Sequence, residues 1–114
     1  MPIAALLALT VAVAQEPAPE APRSTRDAGI SALQDGRAEE AEELLSKAIA
    51  EDPADLRAQW ELGWAHWAQD DFGAAVEAWK QVEKRDASWP DVSEWLTKAQ
   101  ARAALNDGPP VKGE

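Results

Sequence analysis

Ala41–Asp52 reads AEELLSKAIAED and Ala75–Asp86 reads AVEAWKQVEKRD, one pattern written twice at a spacing of 34 residues. Ala41, Leu44, Leu45 and Ala48 fall on Ala75, Ala78, Trp79 and Val82, and each set lines one face at helical spacing. An amphipathic helix has to bury its apolar face, and one that recurs at a fixed period implies a recurring structural unit. The same shift carries Gly29 to Gly63 and Asp52 to Asp86, then Leu62 and Ala65 to Leu96 and Ala99.

Local signals place the helix ends. Ser24 with Asp27 three residues on makes a capping-box start, and Gly36 supplies a residue that tolerates the left-handed conformation at the stop. A second helix is expected from Ala38 to Glu51, opened by Glu39, Glu40, Glu42 and Glu43 where the helix dipole favours negative charge. Pro53 ends it, and Asp55 caps a third that reaches about Gln69. Asp70, Asp71 and Gly73 read as the next turn, a fourth helix as Ala74–Arg85, and a last one as about Pro90–Leu105. Tyr is absent, Phe occurs once and Cys is absent, whereas Ala, Glu and Leu dominate, so the expected fold is all-α.

These residues resemble the tetratricopeptide repeat, a 34-residue helix-turn-helix unit. Leu62-Gly63, Ala75, Trp79 and Asp86 match its pattern in the second unit, and Gly29, Gly36, Ala41, Ala48 and Asp52-Pro53 match in the first. Ala28 and Ala87 depart from it, standing where Leu and Pro are usual. The resemblance implies two repeats and a C-terminal capping helix over residues 24–105, a short α-solenoid that serves as a protein-binding scaffold rather than as an enzyme.

Residues 1–14, MPIAALLALTVAVA, carry an apolar run too short to span a bilayer but of signal-core length, and Ala12-Val13-Ala14 offers a small-x-small cleavage pattern. No Lys or Arg precedes the run. Residues 15–23 contain Pro17, Pro19 and Pro22 and read as an extended linker; residues 106–114 read as a disordered tail. The expectation is an exported protein, periplasmic or secreted; the alternative reading is a frayed apolar helix on a cytoplasmic protein.

Trp60, Trp64 and Trp67 share one stripe with Leu56 and Gly63, and Ala58, Leu62, Ala65 and Gln69 lie opposite. Three such rings beside a glycine need more covering surface than five short helices easily supply, so an exposed aromatic patch is expected; the competing reading is that they fill gaps in the core. The resemblance implies that first helices line a concave groove, adding Arg26, Ile30, Leu33, Arg57, Lys98 and Arg102 to the partner-binding set. The family's clamp for carboxyl-terminal peptides needs Asn where Ile30 and Trp64 stand, so that ligand is not expected.

A net charge of −10 disfavours nucleic acid and anionic membranes and leaves a protein or peptide segment with apolar anchors as the expected partner; no stable membrane insertion is expected after signal cleavage, and self-association stays open. His66 is the only histidine, no thiolate is present, and neither an EF-hand nor a phosphate loop is written, so no cofactor, metal site or catalytic set is expected. Two other classes remain: a glycan-binding module that stacks sugars on tryptophan, and an accessory N-terminal module of a larger envelope enzyme.

Overall fold

A computed structural model describes residues 24–107 as five helices: α1 Thr25–Gln34, α2 Ala38–Glu51, α3 Leu56–Ala68, α4 Phe72–Arg85 and α5 Val92–Asp107. The expected signal segment, the Pro-rich linker and most of the expected tail lie outside the described residues. Each helix packs on its neighbours in sequence and α1 also touches α3, so the fold is quasi-one-dimensional, as an all-α repeat array should be.

The two repeats end their first helices alike. After α1, the Arg37 and Gly36 amides donate to the Ala32 and Leu33 carbonyls, at 2.8 and 3.0 Å, with Gly36 at φ +83°. After α3, Asp71 and Asp70 donate to His66 and Trp67, both at 2.9 Å, with Asp70 at φ 61°. Both are Schellman closures, which satisfy carbonyls that a helix end otherwise strands. Ser24 Oγ accepts the Asp27 amide at 3.0 Å and Asp55 Oδ1 accepts that of Ala58 at 3.0 Å, as the capping pattern predicts.

Two helix starts differ from the sequence reading. Asp71 belongs to no free turn: its Oδ1 accepts the Ala74 amide at 3.3 Å, so α4 begins at Phe72 and Gly73 sits in its first turn. Helix α5 begins at Val92 rather than Pro90, because Asp91 lies at φ 65° and cannot continue a right-handed helix backwards. At its other end α5 continues through Asn106 and Asp107, two residues into the segment expected to be tail.

Burial falls into two clusters that share α3 as a common wall. The first joins Ala32, Ala41, Leu45, Ala48, Ala58 and Ala65; the second joins Ala75, Val76, Trp79, Val82, Val92, Leu96 and Ala99. Ala58, Ala65 and Leu62 turn one face of α3 to the first cluster, while Trp60, Trp64 and Trp67 turn the other to the second. The first core is built from small residues that let helices approach closely. The second is filled by Trp79, fully buried in the place that Leu45 holds one repeat earlier.

Candidate functional site

Gly63 makes room for Trp79. A Cβ added at Gly63 would stand 2.0 Å from Trp79 Nε1, and that nitrogen donates to the Trp60 carbonyl at 3.0 Å. Around this buried ring the other aromatics assemble. Centroids of Trp60, Trp64 and Trp67 lie 5.3, 4.9 and 6.0 Å from Trp79, Trp95 lies 4.8 Å from Trp64, Trp89 lies 6.4 Å from Trp60, and Phe72 lies 4.9 Å from Trp67. All six tryptophans and the one phenylalanine thus form one cluster. Its tilted and edge-on pairings at these separations are favourable beyond the area they bury.

The expected exposed aromatic patch is therefore not there in the form expected. Trp60, Trp64 and Trp67 are half-buried, and the one exposed large hydrophobic side chain among the described residues is Leu105, at 74 %. The reason is volume: Trp95 and Trp89 arrive from α5 and the turn before it and cover rings that two repeats alone would leave bare. Neither was singled out from the sequence. Trp95 lies one position before Leu96, off the repeat-matched positions, so the 34-residue shift does not point to it.

Helices α1, α3 and α5 form one layer, since α1 touches α3 and Trp64 and Trp67 touch Trp95. On this layer the expected single groove resolves into two clefts. One, of about 410 Å³, is lined by Arg26, Asp27, Ile30, Ser31, Gln34 and Arg57. The other, of about 440 Å³, is lined by Trp67, Trp95, Lys98, Ala101, Arg102 and Leu105. Trp60 and Trp64 stand in neither, and Leu33 packs against the first core cluster.

Most of the expected basic rim is engaged by the protein's own carboxylates. Arg57 Nε meets Glu61 at 2.7 Å, Lys98 Nζ meets Glu94 at 3.2 Å, and Arg26 meets Asp55 at 3.4 Å and Asp27 at 3.3 Å. The negative charge of Asp55 is the main reason the Arg26 guanidinium holds its proton even more firmly than usual. Arg102 differs. It has no ion-pair partner among the described residues and lies 5.6 Å from the Trp67 centroid and 5.5 Å from that of Phe72. Lys98 sits 4.2 Å over Trp95.

His66 lies on the opposite side of α3, with Nδ1 3.9 Å from Glu42 Oε1 and without a hydrogen-bond partner among the described residues. No group of three or more His, Cys, Asp or Glu suited to a metal ion occurs among the described residues, and no helix there is long and apolar enough to cross a membrane.

Comparison with known proteins gives two matches to family models, each described as a tetratricopeptide repeat. One covers residues 32–99, more than half of the chain; the other covers residues 4–55 and so runs through the apolar segment read as an export signal. No curated protein and no solved structure matches the chain. With the 34-residue period, the paired Schellman closures and the match over residues 32–99, the chain belongs to the tetratricopeptide repeat family.

Proposed function

We propose that this protein is a non-catalytic interaction module, which holds a segment of another protein on the layer formed by α1, α3 and α5 and works in the cell envelope after export. Tetratricopeptide repeats generally mediate protein–protein interaction and are typically non-catalytic scaffolds. The observation that carries the reading to this surface is the pair of clefts on the odd-numbered helices, both combining cationic and apolar lining. Clefts of a few hundred Å³ suit side-chain anchors rather than a whole folded face.

Site-specific photo-crosslinking in cells tests the surface. A crosslinker at Ile30 or Arg102 should give protein adducts, whereas one at Lys47 or Lys84, exposed on α2 and α4, should not. Equal adducts at all four positions, or none on the odd layer, would remove the proposal. Intact-mass measurement of the envelope fraction tests export: a product beginning at Gln15 supports it. A cytosolic product that retains Met1 would withdraw the location.

A further inference from the structure

Resting on that interaction reading, we infer that the cleft at the carboxyl-terminal end of α5 seats an acidic peptide segment carrying one bulky aliphatic side chain. The cleft joins two features that differ from their surroundings. Leu105 is the one large hydrophobic side chain exposed among the described residues, and with Ala101, Trp67 and Trp95 it offers an apolar floor. Beside it stand Lys98 and Arg102, two cations one helical turn apart on a chain of net charge −10.

Those cations are held over ring faces, which fixes their place without neutralising them. Arg102 has no carboxylate partner among the described residues, so its five donors are available to a ligand carboxylate. Lys98 is paired with Glu94, but both side chains are about half exposed, at 49 % and 57 %, and such a pair exchanges readily. A ligand carboxylate replaces Glu94 there at small cost. The cleft's 440 Å³ accommodates a Leu- or Ile-sized anchor with its flanking backbone.

Other occupants fit less well. A sugar stacks on a bare ring face, and Lys98 and Arg102 already cover those of Trp95 and Trp67. A second copy offers no such anchor among the described residues, since its one exposed large hydrophobic side chain, Leu105, lines the cleft itself. A basic segment meets repulsion at this cleft, while acidic faces such as Glu39, Glu42 and Glu43 attract it elsewhere.

The test titrates acetylated nine-residue peptides into the full 114-residue chain: a Leu centre flanked by Glu, the same centre flanked by Lys, and an Ala centre flanked by Glu. Indole amide resonances of the tryptophans report location and intrinsic fluorescence reports affinity. The Glu–Leu peptide should move Trp67 and Trp95 most. Arg102→Glu should weaken it at least tenfold and Arg102→Gln less, with unchanged melting temperature, and Glu94→Gln should tighten it about twofold by releasing Lys98.

Equal binding of the Lys-flanked peptide, unchanged affinity in Arg102→Glu, or shifts centred on Trp60 would overturn this cleft as the acidic site while leaving the interaction surface standing. Sedimentation showing a dimer that Arg102→Glu dissociates would assign the cleft to a second copy and overturn it too. If no peptide binds and crosslinking on the odd layer also fails, both readings fall.

Discussion

Residue by residue, the matched buried pair Leu45 and Trp79 differs most in size, and that difference sets how each glycine tolerates change. A Cβ at Gly29 would lie 2.7 Å from Leu45 Cγ, whereas one at Gly63 would lie 2.0 Å from the indole of Trp79. Both neighbours are fully buried, but the Leu45 side chain has single bonds that let it rotate away, whereas the Trp79 ring is rigid, closer and tied by its N–H to the Trp60 carbonyl. Both substitutions gain the helix propensity of Ala, worth about 1 kcal/mol. Gly63→Ala should nonetheless cost roughly 3 kcal/mol, through overpacking, and Gly29→Ala clearly less. Urea denaturation of the two variants checks the order, and equal midpoints would mean that Trp79 is not wedged against α3. Trp79→Ala should cost roughly 3–5 kcal/mol by leaving a cavity against the rings of Trp60, Trp64 and Trp67. For the same reason Trp60→Ala with Trp64→Ala should lower the melting temperature, because these rings pack on Trp79 rather than standing clear of it.

At the scale of helices and their ends, the turn after α3 holds an inexpensive source of stability. Asp70 occupies the left-handed closing position that Gly36 fills one repeat earlier, at φ 61° against +83°. A residue with a Cβ is strained there by about 1–2 kcal/mol, less for Asp than for most. Asp70→Gly should therefore raise stability by roughly 0.5 kcal/mol, after the entropy that glycine gives the unfolded chain is set against it; a lower melting temperature would show that the Asp70 side chain contributes something the closure does not require. This turn also shows where the sequence was legible. Capping residues and the 34-residue shift are local or periodic signals, and they located α1, α2 and α3 to within a residue or so. Asp71 carries the same kind of cap as Asp55, but Gly73 two residues on reads as turn, and the left-handed Asp91 depends on a backbone angle that composition does not announce, so α4 starts two residues before and α5 two residues after the expected positions. The site was less legible than the fold: the resemblance put Lys98 and Arg102 in the partner-binding set, Trp95, Arg102 and Leu105 share one face of α5 at a helical spacing that the repeat shift does not weigh, and only tertiary packing brings Trp67 and Phe72 to Arg102.

Across the whole molecule, stability should be graded along the array rather than uniform. Contacts run between sequence neighbours, so each helix is held by its own interfaces and local opening need not unfold the rest. Helix α4 buries six residues and is covered by both α3 and α5, with Arg85 at its end donating to the Pro53 carbonyl across the repeat boundary. Helix α1 is the shortest at ten residues and buries only Gly29 and Ala32. Beyond these, Ile30 and Leu33 pack half-buried on the first cluster, and the Ser24 cap and the Arg26 contacts with Asp55 and Asp27 are worth little each. Alanine cores also contribute less transfer energy than the tryptophan core beyond α3. Native-state hydrogen exchange should therefore find α1 amides opening first, at a free energy roughly 2 kcal/mol or more below that of α4, with α3 intermediate because it walls both cores. The peptide-sized cleft at α5 has Trp67 and Trp95 of the tryptophan core in its floor, and the cleft at Arg26 and Ile30 lies on the helix expected to open first. Slow exchange in α1 equal to that in α4 would mean that the array opens as one cooperative unit, its small alanine core holding α1 as firmly as the tryptophan core holds α4.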